Sequence, residues 1–168
     1  MGEIVIIAAV AANNVIGKNG KIPWHIPADF KHFKEITWGY PCIMGDRTYE
    51  SLPIKPLPGR ENIVLTLNRN YNPKGAKIFY SFKEALDYCK DKEKVFIIGG
   101  ASVYRQALPI ADRLELTKIH KEYDGDTFFP QINFDEWVEI NRQDFEGFSF
   151  LTYVRKNKKR GEDINEFS

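Results

Sequence analysis

The chain is poor in the features that would let it act through bulk chemistry. Only two cysteines occur in 168 residues, Cys42 and Cys89. They make neither a disulfide framework nor a metal-ligand spacing. Each fits a small buried hydrophobe better than a reactive thiol, and a reducing cytoplasm is the simplest setting. No excess of one charge exists either: 24 Lys and Arg nearly cancel 23 Asp and Glu, a net +1. That balance argues against general electrostatic binding to nucleic acid or to anionic lipid, so any anion site must be local. The longest apolar run, residues 4–12, is far short of the roughly 20 residues that cross a bilayer. With no basic leader or cleavage region, it is not expected to be a signal peptide. Internal repeats and linkers are absent. What is left is one soluble domain, expected over residues 1–157, and a polar tail over 158–168. The tail's basic cluster suits a solvated terminus, with an acidic partner as the alternative.

What is present alternates. Residues 4–10 are continuous and β-branched, as in a strand covered on both faces. Further strands are expected at 41–44, 62–67, 77–80, 95–98, 114–119, 137–143 and 148–155, with Glu146-Gly147 turning a final hairpin. Helices are expected between them at 27–37, 46–52, 82–90 and 102–108. This order indicates an α/β fold: a mostly parallel mixed sheet with flanking helices and an antiparallel C-terminal strand.

The segment Ile26-Pro27-Ala28-Asp29-Phe30-Lys31-His32-Phe33-Lys34-Glu35-Ile36 carries the first chemical signal. Pro27 suits the first turn of a helix. At about 100° per residue, Phe30, Phe33 and Ile36 form a stripe that includes Asp29, while Lys31, His32, Lys34 and Glu35 take the other side. An unpaired carboxylate aimed inward costs several kcal/mol, so Asp29 needs a partner or a proton. It either meets a cationic or donor-rich ligand or supports its own helix start. Before this helix, residues 12–21 form a polar, glycine-bearing loop, which is either a lid or a plain connection.

A second signal lies in two strand–glycine–helix junctions. Val95 to Tyr104 contains Gly99-Gly100, and Ile43-Met44-Gly45-Asp46-Arg47-Thr48 repeats the arrangement. Glycine lets a backbone approach a phosphate, and a helix start offers free N–H groups. Together the junctions suit a dinucleotide lying across the strand ends; alternatively they are two ordinary capped turns.

In order along the chain, these pieces resemble dihydrofolate reductase. The resemblance is carried by Ile16-Gly17, Pro23-Trp24, Ile26-Pro27-Ala28-Asp29, Met44-Gly45 with Thr48-Tyr49-Glu50-Ser51, and Leu57-Pro58-Gly59-Arg60-Glu61-Asn62. It continues with Ile98-Gly99-Gly100, Val103-Tyr104, Leu116-Thr117 and Gly125-Asp126-Thr127-Phe128-Phe129-Pro130, spanning residues 4–155. The resemblance implies an eight-stranded sheet and a monomer. It implies NADPH as cofactor, dihydrofolate as substrate, antifolates as inhibitors, and a place in tetrahydrofolate and one-carbon metabolism. It assigns Asp29 to the pterin's 2-amino group and neighbouring ring nitrogen, Thr117 to supporting that carboxylate, and Trp24 to a proton-delivering water. Ile7, Ala9, Phe30, Phe33, Leu52, Leu57 and Ile98 would wall the substrate, and Arg60 would hold its glutamate carboxylate. Ala9, Ile16, Gly17, Ile22, Gly45, Arg47, Thr48, Leu65, Thr66, Gly99, Gly100, Ala101, Ser102, Val103 and Tyr104 would hold the cofactor. Residues 16–24 would form the lid, and the Gly99–Gly100 peptide is expected to be cis.

Two departures stand out. Asp46 replaces a commonly basic residue, and Ser102 replaces a frequent Arg or other long side chain. Both thin the positive charge near the cofactor's 2′-phosphate, leaving Arg47 and Arg69 to compensate. Competing readings are a reductase of another pterin or of a flavin-pathway pyrimidine, and a non-catalytic dinucleotide-binding module. Asp29, Trp24 and Arg60 favour folate reduction over both.

Overall fold

The β-branched run becomes the centre of the sheet. A computed structural model describes residues 2–156. In it, strand β1 (Glu3–Val10) pairs in parallel with β6 (Lys94–Gly99) on one side and β7 (Arg113–Ile119) on the other. Beyond β6 lie β3 (Cys42–Gly45), β4 (Asn62–Leu65) and β5 (Lys77–Phe79), all parallel. Beyond β7 come β10 (Phe148–Arg155), antiparallel to it, and β9 (Trp137–Phe145) at the edge. The eight-stranded order is β5-β4-β3-β6-β1-β7-β10-β9.

Alternation along β1 divides the core. Ile4, Ile6 and Ala8 face helices α3 (Phe82–Tyr88) and α4 (Ala101–Ala107) through Phe82, Leu86, Val103 and Ala107. Val5 and Ile7 point the other way, into a cluster with Met44, Tyr49, Val64 and Phe96. Phe33 and Ile36 of α1 (Pro27–Thr37) and Leu52, at the end of α2 (Asp46–Ser51), pack on that second cluster. A strand buried on both faces has no reason to alternate polar and apolar residues, which is why this one reads as an unbroken apolar run.

The bounds of α1 are as expected, but its orientation needs correction. The half-buried side consists of Asp29, His32, Phe33 and Ile36, with Thr37 fully buried. His32, expected to face outward, stacks on Phe150 with ring centroids 3.7 Å apart. Phe30, expected on the inner stripe, is 45% exposed. The two residues lie on opposite borders of the stripe, and β10 supplies an aromatic neighbour for His32 only. A two-stranded sheet of β2 (Val15–Gly17) and β8 (Thr127–Phe128) was not foreseen. The expected tail at 158–168 lies outside the described residues.

Candidate active site

Helix α1 crosses the sheet beside β7 and brings an acid and a hydroxyl together. Thr117 donates to Asp29 Oδ1 at 2.5 Å. Thr117 is buried next to Ala9, its register partner on β1. Burial pushes the Asp29 carboxyl above the ordinary carboxylate range, and the Thr117 bond pulls partly the other way. No ion pair to Asp29 occurs among the described residues. The inward acid therefore has a neutral hydrogen-bond donor and no counter-cation, so a donor-rich ligand suits its remaining acceptor capacity.

Five of the seven expected wall residues belong to one cluster. Ile7, Phe33, Leu52, Leu57 and Ile98 pack together, while Phe30 stands exposed on α1, its ring 5.4 Å from that of His25. Arg60 donates through Nη1 to Thr37 Oγ1 at 3.1 Å, with Cζ 5.8 Å from the Phe33 ring centroid. Asp29, Phe33 and, through Thr37, Arg60 thus lie along the half-buried side of α1, whereas Phe30 is exposed and Ala9 packs in a separate cluster with Trp24.

On the other side of β1 the two glycine junctions meet. A Cβ placed on Gly45 would lie 3.9 Å from the Gly100 nitrogen, and one placed on Gly99 or Gly100 would lie 3.5 Å from Thr48 Oγ1. Gly99 has φ +130, a conformation that glycine alone adopts freely, and the Gly99–Gly100 peptide is cis as expected. Tyr104, fully buried, donates its hydroxyl to the Ile7 carbonyl at 2.8 Å and so ties α4 to β1. No side chain caps α4, whereas at the start of α2 the Asp46 carboxylate accepts from the Arg47 amide at 2.8 Å and Ser81 caps α3 by accepting from the Glu84 amide at 3.1 Å. The alternative of a turn served by its own acid is thus met at α2, while α4 starts without a side-chain cap. Arg47 and Ser102 stand exposed at the two helix starts. Thr66 is engaged internally, donating to Asp46 Oδ2 at 2.8 Å. Arg69 covers the Tyr80 ring at 3.9 Å.

Residues 16–24 are fastened to the loop before β8, a feature the sequence reading missed. The Asn19 amide donates to Asp126 Oδ2 at 3.0 Å, the Asp126 amide donates to the Gly17 carbonyl at 3.1 Å, and Lys18 pairs with Asp124 at 2.6 Å. Trp24 is buried against Tyr123, their centroids 5.2 Å apart, while Ile22 is 53% exposed. The signal that could have revealed these anchors is the acidic, glycine-bearing stretch Asp124-Gly125-Asp126, whose charges have no use within a strand.

The model of the dihydrofolate reductase family matches residues 3–155. The chain belongs to the dihydrofolate reductase family. Among curated family members, the dihydrofolate reductase of Neisseria gonorrhoeae is 46% identical over 162 residues, covering 93% of this chain and all of that protein. That of Bacillus subtilis is 41% identical, covering 94% and 97% respectively. A solved dihydrofolate reductase from Enterococcus faecalis, in complex with NADP(H) and RAB-propyl, superimposes with a TM-score of 0.84 at 37% identity, over 93% of this chain and 98% of that one.

Proposed function

We infer that the protein reduces 7,8-dihydrofolate to 5,6,7,8-tetrahydrofolate with NADPH, and so supplies one-carbon metabolism. The observation that carries this reading is Asp29, a half-buried carboxylate held by Thr117 and paired with no cation among the described residues. A pterin presents an amino group and a ring N–H side by side, the donor pair a carboxylate accepts best.

The residues at the two glycine junctions fit the cofactor. Bare backbone at Gly45, Gly99 and Gly100 leaves room for a pyrophosphate, and Arg47 offers a local cation. Thr48, Ser102 and the turn from Gly99 to Tyr104 are assigned to the same half, with Ala9, Ile16, Gly17, Ile22, Leu65 and Thr66 around the rest. When bound, NADPH supplies a hydride from nicotinamide C4 to pterin C6, while N5 takes a proton. Asp29 anchors and polarises the ring through its 2-amino edge. Ile7, Phe33 and Ile98 exclude solvent and fix the ring plane, so that alignment contributes much of the acceleration. Trp24 borders the route by which a water delivers the proton to N5. Arg60 holds the glutamate end of the substrate.

We place the enzyme in the cytoplasm as a monomer that binds antifolate inhibitors. Among the described residues no helix is long and apolar enough to cross a membrane. The test is spectrophotometric. NADPH oxidation should require dihydrofolate and yield tetrahydrofolate in equal amount, and Asp29→Asn should lower turnover at neutral pH by at least ~100-fold, the low end of general acid–base effects. NADPH oxidation that is independent of dihydrofolate, or an Asn variant with near-normal turnover, contradicts the assignment.

A further inference from the structure

A guanidinium at the end of a flexible side chain binds a carboxylate well only if its fork is already oriented, because ordering it afterwards costs binding energy. Two hydrogen bonds restrain Arg60. Its Nε donates to the Pro58 carbonyl at 2.8 Å and its Nη1 to Thr37 Oγ1 at 3.1 Å. Of the five guanidinium donors these use two, and among the described residues no other hydrogen bond engages Nη1 or Nη2, which leaves them for a ligand. A third restraint is the indole of Trp38, whose centroid lies 5.4 Å from Arg60 Cζ.

Trp38 is seated with care for a residue that is 49% exposed. It closes α1, its amide donating to the Lys34 carbonyl at 3.1 Å, and the next amide, of Gly39, donates to the Gly59 carbonyl at 2.9 Å. The helix end and the Pro58-Gly59-Arg60 turn are thereby joined backbone to backbone. Gly59 has φ +74, and a Cβ there would stand 2.4 Å from two carbons of the indole. Only a residue without a side chain lets the ring lie on this turn. Burial of apolar surface does not account for so exposed a ring, whereas contact with two cations does: Arg60 Cζ and Lys34 Nζ each lie 5.4 Å from its centroid.

We propose that Trp38 is a positioning residue for substrate recognition: its indole, laid on Gly59, is the platform that holds the Arg60 guanidinium ready for the carboxylate of the glutamate tail. The proposal rests on the assignment of Arg60 given above. Trp38 touches neither the pterin end nor the reacting atoms, so its effect is confined to substrates that carry the tail.

The test compares dihydrofolate with dihydropteroate, which keeps the ring and benzoyl group and lacks the glutamate. Trp38→Leu should raise KM for dihydrofolate about three- to tenfold at unchanged kcat, the range a cation–π contact supports. KM for dihydropteroate should not move, and Trp38→Phe, which restores a ring face, should recover most of the loss. In an Arg60→Ala background Trp38→Leu should add nothing. Trp38→Gln provides the same comparison with a polar side chain if Leu proves insoluble at this surface. Equal rises in KM for both substrates, or a Trp38 effect that persists without Arg60, overturn the proposal. If Arg60→Ala itself fails to distinguish the two substrates, the assignment of Arg60 falls and takes the proposal with it. Oxidation of NADPH with neither substrate would instead refute the reductase reading.

Discussion

Thr117 and Asp29 are joined by a 2.5 Å hydrogen bond between β7 and the first turn of α1, and the carboxylate is the acceptor. Burial and this bond act on the acid in opposite directions, burial being the larger. A carboxyl whose folded pKa exceeds its unfolded value holds extra protons in the folded state between the two values. Stability therefore falls as pH rises through that window, and the ionised group is destabilising above it. Asparagine removes this cost and still offers Thr117 an acceptor oxygen. Ligand-free Asp29→Asn should melt a few degrees above the wild type at neutral pH and level with it in acid, below the unfolded carboxylate pKa. Thermal melts across that range check this; a lower melting temperature for the variant at neutral pH contradicts it.

Thr117→Val removes the contact that favours the ionised acid. The pH midpoint of the Asp29-linked transition should then move upward, in stability and in the carboxyl resonance alike. An unmoved midpoint would mean that the hydroxyl is incidental.

Asp46 fixes a negative charge at the start of α2, accepting from Thr66 Oγ1 and from the Arg47 amide, each at 2.8 Å. On the cofactor assignment above, this charge opposes a phosphorylated adenosine. Asp46→Asn keeps an acceptor and removes the charge. It should tighten NADPH relative to NADH by about three- to tenfold, as expected for losing one repulsion near the surface. Titration calorimetry with both cofactors decides the point, since an equal gain for the two contradicts it.

Cys42 and Cys89 are buried, and burial pushes their thiols up to about 12 and about 11 respectively. A thiol is nucleophilic as its thiolate. Both should therefore be inert to Ellman's reagent near neutral pH in the folded protein and react together once it is denatured. Rapid labelling of either in the native state would contradict their placement.

Much of this architecture was legible in the residues, for reasons that differ by element. The first strand announced itself because burial on both faces removes any need for polar positions. Helix α1 was bounded by Pro27, and its 3.6-residue period placed Asp29 inward. The same period could not say what either border of the stripe meets, so the sides of His32 and Phe30 were misjudged; that depended on Phe150, far along the chain. Strands β2 and β8 are only three and two residues long. Their pairing is fixed by contacts such as Asn19 to Asp126 rather than by local pattern. Trp38 was silent for a similar reason. Its meaning appears only when the end of α1 meets the turn at Gly59.

The most direct measurement is the titration of the Asp29 carboxyl by ¹³C NMR, in the free protein and with a 2,4-diaminopyrimidine antifolate bound. A cationic heterocycle paired with this acid stabilises its ionised form. The resonance should therefore titrate above the ordinary carboxylate range when free and remain that of a carboxylate well into acid when bound. An Asp29 signal indifferent to the ligand would contradict the account at its centre.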